Sequence, residues 1–206
     1  MDDDVAAITA AVAGIEHGFK TQQQIARDYA QGHAPDDAYA VALHLLDSEI
    51  VAVRMTGVLI LEQLATIRPS LDLLRDRVST DPAWQVQEML ARAFDAHCKA
   101  IGYERALPLI EEWLDSPVRN LRRAVTEGLR IWTSRPYFKQ HPELAIRLLG
   151  ARRADPENYV RESAGNALRD ISRKYPDLVR AELASWDLSD QRTVQTHRLA
   201  SRFLYD

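Results

Sequence analysis

Trp84 and Glu88 stand four residues apart in the segment WQVQE. On a helix that spacing puts two side chains one turn apart on one face. A carboxylate held there can stabilise a developing positive charge and orient or deprotonate water. An indole beside it can meet a cation through its π face. Arg123 in NLRRAV and Arg169 in GNALRD are of the type that holds phosphates, and Arg122 and Arg161 could extend such a track. The same residues have plainer readings. Trp84 can be core. Glu88 can pair with Arg92 at i+4. Arginines in successive helical repeats can form ladders with carboxylates, and Glu62, Glu127 and Asp170 are available.

The elements that carry these residues repeat. DPAWQVQEMLARAFDAHCK, DSPVRNLRRAVTEGLRIWT and DPENYVRESAGNALRDISRK each open on an acidic turn, at Asp81, Asp115 or Asp155, and run into a helix. Aligning second helices on Val53, Val86, Leu121, Val160 and Val194 gives separations of 33, 35, 39 and 34 residues. Periods of this length mean stacked helical pairs rather than one bundle. One residue beyond the anchor stand Arg54, Gln87, Arg122, Arg161 and Gln195; nine beyond stand Glu62, Asp95, Arg130, Arg169 and Phe203. Gly57, Ala91, Thr126 and Gly165 are small positions where helices can pack closely. Prolines fall near helix starts, where the missing N–H has no intrahelical partner. Asp47, Asp81, Asp115 and Asp155 fall in turns, where a carboxylate can cap the next helix.

This pattern predicts an all-α, right-handed solenoid of HEAT type. It has five helical pairs over residues 35–206 and a helical cap over 1–33, in one domain. In the cap, Val5, Ile8, Val12, Ile15 and Phe19 predict one amphipathic helix, followed by a short one over Gln22 to Tyr29. Second helices of such a stack line the concave side, so their polar residues form the binding surface. The longest interval contains TSRPYFKQHPE, a basic and aromatic insertion that reads either as a binding loop or as a hydrophobic plug.

Composition narrows the class. No run of about 18 apolar residues occurs, so no membrane span is expected. The acidic start MDDDVAAITAAV is unlike a basic signal-peptide n-region, and the lone Cys98 excludes an internal disulfide. Both lead to a cytoplasmic expectation, or a nucleoid-associated one in a bacterium. The net charge is -4, but residues 115–206 carry 17 Lys+Arg against 12 Asp+Glu, leaving 9 against 18 for residues 1–114. The imbalance permits a basic face that the total conceals. The histidines (His17, His33, His44, His97, His141, His197) show no metal-ligand spacing. Trp113, Trp132 and Trp186 fit the core.

Three segments resemble a known family, the HEAT-like DNA alkylation-repair glycosylases of the AlkC/AlkD type. They are WQVQE, NLRRAV and ENYVRESAGNALRDISRKYPDLV. The resemblance covers roughly residues 35–206 and is strongest between Trp84 and Trp186. It implies excision of positively charged alkylated purines, such as 3-methyladenine and 7-methylguanine, from duplex DNA. It places the catalytic carboxylate at Glu88, four residues after Trp84, and the DNA-contacting arginines at Arg123 and Arg169. One branch has an aromatic residue where this chain has Asn166, and Asp where it has Glu88. On both counts the chain looks closer to the AlkC-like branch or to a divergent member. The chemistry implied needs no metal, nucleotide cofactor or nucleophilic cysteine. The protein is expected to work as a monomer on DNA, with Glu88, Arg123 and Arg169 projecting into one groove. The alternative is a non-catalytic HEAT-like module that binds DNA or a protein.

Overall fold

The structure, a computed structural model, describes residues 1–15 and 18–204; His17 lies outside them. Among the described residues there are thirteen α-helices and no strand, so the fold is the all-α class of HEAT-like helical pairs. None of the helices is long and apolar enough to cross a membrane. The chain divides into two compact units, Met1–Gly102 and Tyr103–Asp206.

In the first unit, α1 (Asp2–Val12) and α2 (Lys20–Gly32) precede two pairs. The pairs are α3 (Pro35–Leu45) with α4 (Val51–Gln63), and α5 (Arg68–Asp76) with α6 (Trp84–Ile101). The first helix stops at Val12 instead of continuing to Phe19, which becomes the N-cap of a longer α2. Gly18 explains the break: its φ of 79° is open to glycine and strained for other residues. Helix α4 is the core of this unit, packed by α2, α3 and α6, with Val53, Val58, Leu59, Ile60 and Leu61 buried. A Cβ on Gly57 would stand 3.0 Å from the Ala42 carbonyl oxygen, so glycine is what lets α3 approach α4.

The second unit holds α7 (Tyr103–Leu114) with α8 (Arg119–Trp132), the short α9 (Pro136–Gln140), α10 (Pro142–Gly150) with α11 (Asn158–Ser172), and α12 (Pro176–Ala184) with α13 (Gln191–Ala200). Trp113, Trp132 and Trp186 are buried. The insertion forms α9, and its Phe138 is a plug, fully buried with its ring 5.8 Å from Trp132 and from Tyr103. Four of the five anchors are buried, but Val194 is 43% exposed. Helix α13 instead buries Thr193, Thr196 and Ala200. Threonine is tolerated there because Asp190 accepts both the Thr193 backbone N–H and its hydroxyl, each at 2.8 Å. Those bonds also hold the exposed Asp190 carboxyl below its ordinary pKa.

Helices α11 and α13 meet at Gly165, where an added Cβ would lie 2.8 Å from Leu199 Cβ and 3.1 Å from the Thr196 carbonyl oxygen. Gly165→Ala is therefore expected to lower stability by about 1–3 kcal/mol through overpacking, despite alanine's better helix propensity. Urea unfolding checks this. A stabilised variant would mean that the two helices part at little cost.

Candidate functional site

In the first unit, α6 begins at Trp84, directly after the extended N-cap residue Ala83. Val86, Met89, Leu90 and Ala93 turn inward, so the opposite side of the first turn faces outward. Trp84 is 64% exposed, which removes the core reading of this residue. Glu88 is half-buried one turn further on. Both line a cavity of about 690 Å³, with Phe19, Gln22, Met55 and Met89 among its other walls. Arg92 borders the same cavity and pairs with Glu62, at 2.9 Å and 3.2 Å. Its guanidinium also lies 5.5 Å from the Phe19 ring centre, so the arginine braces that aromatic wall.

The column one residue past each anchor has a different use. Arg54 makes a two-pronged pair with Asp81 (2.6 Å and 3.3 Å) and donates to the Ser48 and Glu49 carbonyls. In the second unit Arg122 does the same. It bonds Asp155 at 2.8 Å and 2.9 Å, and the Ser116 and Pro117 carbonyls at 2.7 Å and 3.1 Å. Arg161 bonds the Asp155 and Pro156 carbonyls and the Gln195 side chain. Gln87 stands in the same column and donates to the Val78 and Asp81 carbonyls. Arg122 and Arg161 are buried, 6% and 8% exposed. Their guanidinium groups are occupied in clamping a turn to its neighbouring repeat. The turn carboxylates divide accordingly. Asp81 and Asp155 receive the clamp and also accept the N–H of Ala83 or Glu157. Asp47 and Asp115 pair outward with Arg77 and Arg152. In those turns the N–H next to the helix goes to a serine, Ser48 or Ser116.

Arg123 and Arg169 are placed on the second unit. The Arg123 guanidinium lies 4.3 Å from the ring centre of Tyr159, itself 41% exposed. Arg169 donates to Asn166 Oδ1 at 2.9 Å and to Asp170 Oδ1 at 2.9 Å and 3.1 Å. Asn166 thus orients the arginine three residues on. Arg169 and Arg173 both face the Phe203 ring, at 5.4 Å and 4.2 Å. The carboxylate ladder is present in part: Glu127 and Asp170 flank Arg130 at 3.4 Å and 3.8 Å.

Sequence reasoning missed the cavity walls Phe19, Gln22 and Met55, which lie far from Trp84 along the chain; the apolar run ending at Phe19 was the only available hint. It also missed Tyr159, four residues past Asp155, whose ring meets Arg123. Burial pushes the Cys98 thiol pKa up, so it is a poor nucleophile. No group of three or more potential metal ligands occurs among the described residues.

The model of a family described as DNA alkylation repair enzyme matches residues 16–202. The chain belongs to the DNA alkylation repair enzyme family. AlkD2 from Streptococcus mutans is similar to it along the whole length, at 45% identity and a TM-score of 0.96, with 100% of this chain and 99% of that one covered. A second Streptococcus mutans structure, smu.31, is 42% identical, with a TM-score of 0.91 and 98% of each chain covered. A predicted DNA alkylation repair enzyme from Enterococcus faecalis shares the fold at 13% identity, with a TM-score of 0.72 over 99% of this chain and 96% of that one. No curated protein matches the chain. Glu88 and Asn166 point to the AlkC-like branch or to a divergent member, whereas the 45% identity is to a structure named AlkD2.

Proposed function

We propose that the protein excises positively charged N-alkylated purines, of the 3-methyladenine and 7-methylguanine class, from duplex DNA. One observation carries this: an exposed indole and a half-buried carboxylate, Trp84 and Glu88, share the wall of one cavity. A purine alkylated at a ring nitrogen is already an activated leaving group, so no strong general acid is required. As the glycosidic bond breaks, its electron pair goes to the purine, which departs neutral, and positive charge grows on the sugar. Glu88 stabilises that charge, orients the water whose oxygen bonds to the sugar carbon, and accepts the proton which that water loses. Trp84 offers its π face to the cation.

Contact with DNA phosphates is the role of Arg169, positioned by Asn166, and of Arg123, which is 7% exposed and lies against the exposed Tyr159 ring. We assign Arg122 and Arg161 to the turns. Arg123→Ala and Arg169→Ala are each expected to weaken binding to all DNA sequences and to flatten the dependence of log K on log salt by about one unit. Unchanged affinity in both, with the fold checked by circular dichroism, would move the basic track elsewhere.

A second reading, a non-catalytic HEAT-like module that binds DNA or a protein, is favoured by the burial of Arg122, Arg123 and Arg161 and by the pairing of Arg169 with Asp170. These withdraw cations from phosphate contact. Release of methylated purines from alkylated duplex DNA, followed by chromatography, tests the two. Salt-sensitive binding with no released base would establish the second reading and remove the first.

A further inference from the structure

Gln22, on the wall of the cavity beside Trp84, is a polar group that the proposed reaction does not use. It is 1% exposed, and its Oε1 has no hydrogen-bond partner. A buried carboxamide oxygen left unsatisfied is costly and rare, so a donor brought from outside the chain is its natural partner. The other walls include the rings of Trp84 and Phe19, 64% and 36% exposed, the thioethers of Met55 and Met89, and the Glu88 carboxylate. The bordering cation Arg92 is paired with Glu62, so it does not offset Glu88. The surrounding unit is acidic: residues 1–102 carry 15 Asp+Glu against 8 Lys+Arg. That excess attracts a cationic partner. Among cations a guanidinium suits these groups best. Its plane stacks on an aromatic face, its fork of donors spans a carboxylate, and a further N–H remains for a carbonyl oxygen. An ammonium is a point charge with no face to stack. A volume of about 690 Å³ exceeds one side chain and admits the backbone on either side of it.

We infer that this cavity is a docking site for a basic segment of another protein, anchored there through one arginine. The guanidinium stacks on Trp84, donates to the Glu88 carboxylate and supplies the donor that Gln22 Oε1 lacks. An arginine desolvated in an aromatic-lined pocket carries much of the affinity of such a contact. The inference goes beyond the proposed function. The segment and alkylated DNA both use Glu88, so each excludes the other.

Tryptophan emission reads the site directly, because Trp84 is 64% exposed and Trp113, Trp132 and Trp186 are 1%, 0% and 6% exposed. The probe is an end-capped glycine pentapeptide with arginine at its centre. Its control carries citrulline there, whose neutral urea has the same shape. The expected result is a saturable blue shift with the arginine peptide, as Trp84 leaves water, and a Kd about tenfold below that of the citrulline peptide. Gln22→Met keeps the side-chain volume and is expected to weaken binding about fivefold with an unchanged or raised melting temperature. Glu88→Gln, at a half-buried wall position, is expected to weaken it about tenfold and carries the test alone if Gln22→Met does not fold. Equal affinity for both peptides, a shift that does not saturate, or wild-type affinity in either folded variant would overturn the inference. Arginine-selective binding in a protein that releases no base keeps the docking site and removes the reaction. Base release without arginine-selective binding removes the docking site and keeps the reaction.

Discussion

Glu88→Gln is expected to reduce release of alkylated purines by about 10²-fold or more, equivalent to about 2.7 kcal/mol of transition-state stabilisation. Glutamine keeps the size and most of the hydrogen bonding of glutamate and removes its charge. Only the interaction with the growing sugar cation is lost, so the effect belongs in the chemical step. Glu88 is half-buried on the cavity wall rather than packed in the core, so the melting temperature is expected to change little. DNA affinity is expected to hold or rise, since the proposed reaction brings DNA to this cavity and the variant removes a negative charge from it. Single-turnover release, a binding isotherm and a thermal melt together decide the matter. Lost release with fold and affinity intact identifies Glu88 as the catalytic carboxylate. Undiminished release in the variant would keep the glycosylase reading and show that Glu88 is not its catalytic group.

Asp155→Ala is expected to have the largest effect on stability. Its carboxylate is 3% exposed and holds the 7% exposed Arg122 guanidinium through two bonds of 2.8 Å and 2.9 Å. Removing the acid leaves a buried cation with half of its partners and frees the Glu157 N–H that Asp155 also accepts. Loss of one member of a buried pair costs about 3–5 kcal/mol. In a protein of this size that lowers Tm by on the order of 10 °C. Arg122→Ala should do the same from the other side. The double variant Arg122→Met with Asp155→Leu should recover much of the loss, because it removes both charges together. This result separates a turn clamp from a phosphate contact. If Arg122→Ala melts as wild type and flattens the salt dependence of DNA binding, the arginine serves DNA and the clamp is incidental.

The exposure of Trp84 and the burial of Arg122 mark where reasoning along the chain succeeds and where it stops. Helical pairs could be read because each helix carries an apolar stripe at its own period, and prolines and acidic turns punctuate the stripes. The adjacency of Trp84 and Glu88 was equally legible, since i,i+4 proximity follows from helix geometry alone. The length of α2 was not, because its start at Lys20 depends on Gly18 taking a positive φ.

Arg122 and Arg123 are consecutive, identical in type and both buried, yet one clamps Asp155 and the other lies against Tyr159. Nothing local distinguishes them: a one-residue step turns the side chain about 100° around the helix, and what it meets belongs to the next repeat. The same holds for the cavity, whose walls Phe19, Gln22 and Met55 reach Trp84 only through the packing of α2 on α4 and of α4 on α6. The periodicity of the chain by itself determined the helices from Pro35 onward and the facing of Trp84 with Glu88, both set by contacts within a turn or two. The tertiary structure alone decided which arginines are spent on turns and which aromatic and amide groups surround the carboxylate. Those outcomes depend on the geometry of neighbouring repeats, which leaves no local trace in residue spacing.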